Sequence, residues 1–103
     1  MVSLDDHIYD TNKVLEYFSN QFEHLYLTGH SLGAVVVCFA DQSMVERVVL
    51  WDPSTGFDDP ASKQMTFISG LDAYLCSYRM DTLFGRQLIE QWMNTRIENQ
   101  IEA

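Results

Sequence analysis

The run Gly29-His30-Ser31-Leu32-Gly33 constrains this chain more than any other, because of what stands on either side of it. Leu25-Tyr26-Leu27-Thr28 has the apolar composition of a strand, and Leu32 through Asp41 is a block of small and apolar residues that reads as a helix. A backbone passing straight from strand to helix must turn within very few residues. Gly-x-Ser-x-Gly at such a junction is the spacing of a tight elbow with the serine at its apex. Gly29 and Gly33 lie two residues either side of Ser31, where a Cβ is expected to collide with the opposite arm of the turn. Ala34 adds a small residue where the helix must approach its strand closely. The plainer alternative makes the glycines ordinary loop residues and Ser31 a helix N-cap.

The elbow reading has chemical consequences. Ser31 projects its hydroxyl clear of the backbone and becomes the candidate nucleophile. The N-terminus of the following helix points at the same place, so its dipole and unpaired N–H groups favour developing negative charge. The backbone N–H of Leu32 is placed to donate to an oxyanion. A serine hydroxyl is a weak nucleophile alone and needs a general base within hydrogen-bond reach.

Leu25 to Asp41 resembles the fifth strand, nucleophile elbow and following helix of the α/β-hydrolase superfamily of esterases, lipases, thioesterases and serine peptidases. Val45 to Pro53 is similar to the strand after the elbow helix, which ends in an apolar residue, a small or acidic residue and a proline. Leu4 to Phe22 resembles the helix before the elbow strand, and Thr66 to Asn94 is loosely similar to the cap segments inserted after the sixth strand. The resemblance implies a partial α/β-hydrolase fold: helix, strand, elbow, helix and parallel strand over 1–60, then a helical cap-like segment over 61–103. It implies a serine hydrolase acting on small-molecule carboxylic esters, thioesters or amides through an acyl-enzyme.

At 103 residues the chain suffices for one small domain with a modest core. A complete domain of the superfamily is about twice as long or more. The chain therefore reads as the middle of a hydrolase domain, a fragment or truncated product. The earlier strands and the loop with the second oxyanion donor are expected before Met1, and the later strands with acid and histidine after Ala103. Two strands alone leave unpaired edges, so self-association or a missing complementary segment is expected.

Composition narrows the partners. A formal net charge of −9, with six Lys and Arg forming no basic stripe, disfavours nucleic acid and anionic membrane surfaces. No apolar run has the length of a membrane span, and no signal-peptide pattern opens the chain. Cys38 and Cys76 lack metal or redox spacing, and Cys38 inside the elbow helix reads as a buried thiol, pointing to a reducing, cytoplasmic setting. No metal or cofactor is expected: the three histidines and two cysteines do not cluster, and no phosphate-binding glycine loop occurs.

The remaining elements follow from periodicity. Ser3 and Asp6 form a helix-start signature, with Ile8, Leu15, Phe18 and Phe22 on one face and an end near Ser19-Asn20. Asp41-Gln42-Ser43 is a turn. Val45 to Trp51 is a β-branched run that fits a parallel strand buried on both faces. Asp52 to Pro60 is a loop. Asp81-Thr82 opens a last helix with Leu83, Leu88, Trp92, Ile97 and Ile101 as its apolar stripe, weakened by Gly85. Tyrosines and tryptophans fall at core-like spacings. A strand–helix–strand unit makes the two strands parallel, with Ser31 and Asp52 on the same rim.

The superfamily order is serine, acid, histidine, whereas His7, His24 and His30 all precede Ser31. His30 is expected to pack against neighbouring strands, and His7 and His24 to be bystanders. Asp52-Pro53 matches the acid of the pancreatic-lipase branch. The competing account, favoured on sequence, makes Asp52 a turn cap. Asp58 and Asp59 read as solvated loop charge. Two function classes remain: the serine hydrolase, incomplete as this chain, and a non-catalytic remnant or interaction module that keeps the elbow for structural reasons.

Overall fold

The computed structural model describes residues 2–53, 57, 59–78 and 80–97. It is a mixed α/β structure. The chain runs α1 (Leu4–Ser19), β1 (Tyr26–Ser31), α2 (Leu32–Phe39), a 3-10 turn (Gln42–Met44), β2 (Arg47–Pro53), a 3-10 turn (Pro60–Lys63), β3 (Met65–Ile68), β4 (Ala73–Cys76), β5 (Thr82–Gly85) and α3 (Arg86–Asn94). Strands β1 and β2 pair in parallel, as the strand–helix–strand order requires, and β3-β4-β5 form an antiparallel sheet. Asp58 and Ile101 lie outside the described residues.

Helix α1 begins where the sequence places it. The Ser3 hydroxyl accepts from the Asp6 N–H at 3.1 Å, and the Asp6 carboxylate accepts from the Ser3 N–H at 2.8 Å. These two bonds satisfy donors that the helix itself cannot. Leu15 is buried, whereas Phe18 and Phe22 are exposed. The N-terminus of α1 is tied to α3 through Gln91, whose Oε1 accepts from the Leu4 N–H at 2.7 Å and whose Nε2 donates to Asp5 at 3.0 Å. Midway along α1 the Asn12 side chain accepts from the Asp41 N–H at 2.6 Å, holding the helix beside the exit of α2.

The segment expected to be helical and cap-like over 61–103 instead places a three-stranded sheet before its one α-helix among the described residues. Register runs Met65 opposite Cys76 and Ile68 opposite Ala73, then Ala73 opposite Gly85 and Cys76 opposite Thr82. The turn at Ser69–Leu71 closes on Asp72 in the left-handed region at φ 49°. Arg86 clamps that turn, its Nε donating to Asp72 at 2.7 Å and its Nη1 to Glu90 at 3.0 Å. Thr82-Leu83-Phe84 carries a β-branched and an aromatic residue and pairs with β4 in place of the expected helix start. The last helix therefore starts four residues later than expected, with Gly85 at its N-cap position, and buries Leu88, Ile89 and Trp92.

Two apolar clusters meet beneath the elbow. One joins Leu4, Val35, Val36, Cys38, Leu88 and Ile97, and the other Phe57, Met65, Ile89 and Trp92. Leu32 and Phe84 pack against both. The two-stranded sheet is covered by α2 on one face only. Tyr26 and Trp51 are 66% and 70% exposed on the other, beside Val49, correcting the expectation of a strand buried on both faces and of uniformly packed aromatics. No described element covers that face, so a β-branched run meant for burial is left half in water. Among the described residues no helix is long and apolar enough to cross a membrane.

Candidate functional site

Ser31 stands at the strand-to-helix junction where the spacing places it. Ser31 is both the last residue of β1 and the N-cap position of α2, with φ 56° and ψ −121°. An L-residue with a side chain rarely adopts this conformation, which costs on the order of 1–3 kcal/mol. Its side chain makes no capping hydrogen bond, which removes the plain N-cap account. Gly29 is buried under the first turn of α2. A Cβ there would abut the Gly33 carbonyl oxygen and stand 2.7 Å from its carbon and 2.8 Å from Ala34 Cα. Ala34 is fully buried at that approach.

Gly33 departs from expectation. Among the described residues nothing lies within 4 Å of a Cβ built on it, so its lack of a side chain is not demanded by space. The crowding is one-sided because Gly29 faces the helix backbone, while Gly33 presents its own side-chain position outward, as an exposed residue.

Leu32 is fixed by its side chain in both apolar clusters, which holds its backbone N–H at the start of α2. Ser31 lines a cleft of about 310 Å³ with Ser62, Lys63, Gln64, Met65, Tyr78 and Trp92. Its floor is apolar: Met65 and Trp92 belong to the second cluster, and Trp92 meets the Phe57 ring edge-on at 5.3 Å. Its rim is polar. The turn Pro60–Lys63 is capped by Asp59, whose carboxylate accepts from the Ala61 N–H at 2.9 Å, so Asp59 is a structural cap rather than loose loop charge. The Lys63 carbonyl accepts a long contact of 3.7 Å from Cys76 Sγ on β4. Apart from Ser31, none of these cleft residues belongs to a motif. The only trace in the sequence is Asp59-Pro60, an N-cap followed by Pro at the first turn.

The three histidines are not gathered at Ser31. His30 is exposed and stacks against Trp51 at 5.3 Å, on the sheet face opposite α2. His24 bonds to Glu46 through Nδ1, and the Tyr26 hydroxyl reaches the same carboxylate at 3.2 Å. Tyr26 and Ser31 are opposite ends of β1, roughly 16 Å apart at strand rise, and His24 lies beyond Tyr26. The His24 hydrogen bond, with a smaller contribution from Tyr26, holds the Glu46 carboxyl below its ordinary value. His7 lines a separate hollow of about 340 Å³ with Leu32, Phe84 and Leu88.

Asp52 shares the rim with Ser31. The parallel register slips between His30 and Ser31, so that His30 faces Trp51 and Ser31 faces Pro53. Asp52 is the extra residue of that bulge, at φ 48°. Among the described residues its side chain has no hydrogen-bond partner, histidine included. Cys38 is buried and unbridged, with burial pushing its thiol up; Cys76 is half-buried and also unbridged. Among the described residues no three His, Cys, Asp or Glu side chains converge as a metal site would require. No family model, no curated protein and no solved structure matches the chain.

Proposed function

We propose that this chain carries the nucleophile half of a serine hydrolase of the α/β-hydrolase type. The backbone of Ser31 carries the reading: a non-glycine residue held at φ 56° between a parallel strand and a helix, on the wall of a cleft. Strain of this kind is concentrated where a side chain must be presented in one orientation.

The reaction follows from that placement. Ser31 Oγ attacks the carbonyl carbon of a carboxylic ester, thioester or amide, and its proton passes to a general base. The Leu32 N–H and the N-terminus of α2 stabilise the oxyanion. Collapse breaks the bond to the alcohol, thiol or amine, which leaves with the proton, and water then releases the acyl group. The base is an imidazole from a polypeptide segment other than those described, because His7, His24 and His30 stand elsewhere. Asp52 on the same rim is the acid that would orient it. Oxyanion stabilisation and binding alone still give residual reactivity in such sites, on the order of 10³-fold over water.

A fluorophosphonate tests the reading. Slow covalent labelling that maps to Ser31 and vanishes in Ser31→Ala supports it. Labelling that is absent, or unchanged in Ser31→Ala, supports the second reading, a non-catalytic module that retains the elbow. The dispersal of the histidines is the observation favouring that alternative.

A further inference from the structure

We infer that the Ser31 cleft selects acyl chains ending in a carboxylate, with Lys63 as the group that reads the charge; this rests on Ser31 being the nucleophile. Lys63 and Ser31 line one cleft whose floor is Met65 and Trp92. A substrate seated there has its reacting carbonyl at Ser31, a short apolar stem over Trp92, and its far end at Lys63. The chemistry at that far end is decided by charge.

Lys63 makes no ion pair among the described residues, whereas Lys13 pairs with Glu16 and Arg86 with Asp72 and Glu90. Its Nζ lies 5.8 Å from the centre of the Phe57 ring, a cation–π contact that holds the ammonium without neutralising it. The turn that carries Lys63 is fixed by the Asp59 cap and by contact with β4, so the charge is presented from a set position. Asp59, the nearest carboxylate in sequence, is occupied with the Ala61 N–H and does not line the cleft. In a chain of net charge −9, a cation on the cleft wall with no ion pair among the described residues is where an anion meets attraction instead of repulsion.

Two fluorophosphonates of equal chain length, one ending in methyl and one in carboxylate, give the test. The readout is the ratio of their Ser31 labelling rates. The carboxylate probe is expected to label about three- to fivefold faster, as befits an exposed ion pair. The ratio falls to about one in Lys63→Met, is kept in Lys63→Arg, and declines with added salt. Equal rates for the two probes on the native chain, or a preference that survives Lys63→Met, overturns the inference and leaves the nucleophile assignment intact. If neither probe labels Ser31 the nucleophile assignment fails, and titration with monomethyl glutarate followed by amide chemical shifts decides the anion site separately. Shifts at 31 and 62–64 that disappear in Lys63→Met sustain it, and their absence refutes it.

Discussion

Gly29 faces the backbone of Gly33 so closely that a Cβ on Gly29 would stand 2.7 Å from the Gly33 carbonyl carbon. The end of β1 and the start of α2 are in backbone contact, and Ser31 spans the bend between them at φ 56°. The two glycines of the motif are thereby unequal, which leads to opposite outcomes for the same substitution.

Gly29→Ala forces the strand and helix apart and is expected to destabilise the fold by about 1–3 kcal/mol, the usual range for overpacking. Gly33→Ala meets no described neighbour within 4 Å and lies in the first turn of a helix. It is expected to be neutral or to stabilise by up to about 1 kcal/mol through helix propensity. Urea unfolding of the two variants checks the contrast. Equal losses would mean that Gly33 is also sterically required.

Ser31 stores strain that glycine would release. Ser31→Gly is expected to raise stability by roughly 1 kcal/mol, because glycine adopts a positive φ without penalty. Ser31→Ala keeps a Cβ and gains nothing. Thermal melting of both variants beside the native chain measures the difference, and both abolish labelling at this position.

The capping box of α1 makes stability depend on acid. Hydrogen bonds from the Ser3 backbone and hydroxyl hold the Asp6 carboxyl below its ordinary value of 3.8. A depressed folded-state value means the ionised carboxylate supports the fold above the ordinary value, and that support is lost as pH falls through the lower, folded one. The difference in melting temperature between the native chain and Asp6→Ala is therefore expected to be full at pH 6 and to shrink as pH falls below the ordinary carboxylate value. Ser3→Ala at pH 6 is expected to cost about 1 kcal/mol, the usual worth of an N-cap.

The two thiols differ in access. Burial raises the Cys38 thiol and shields it, whereas Cys76 is half-buried at the end of β4. An aromatic disulfide reagent is expected to modify Cys76 first and Cys38 only as fast as the fold opens, so urea accelerates the second phase alone. Two equally fast phases would contradict the placement of Cys38 in the core.

How much of this was legible in the residues depends on range. The cap at Ser3, the junction at Ser31 and the parallel pairing of β1 with β2 are encoded locally, in spacings of a few residues, and the structure has them. The antiparallel sheet is not encoded that way. Met65–Ile68 and Thr82–Gly85 are four-residue strands whose identity comes from pairing with Ala73–Cys76. Leu83 stands five residues before Leu88 and nine before Trp92, off the face those two share, so counting it in their stripe misplaces the start of α3. The cleft has the same origin. Lys63 and Trp92 reach Ser31 only through the three-dimensional path of the chain, and no motif links them. The exposed Trp51 face is the converse case, a strand with buried composition and no described layer over it.

The proposed function requires a Ser31 hydroxyl that reacts, not one that merely completes a turn. Mass spectrometry of the fluorophosphonate-treated chain, with peptide mapping, tests it most directly. A single adduct is expected on the peptide containing Ser31, absent in Ser31→Ala. No adduct on that peptide, or one distributed among Ser19, Ser43 and Ser62 as readily as Ser31, would contradict it.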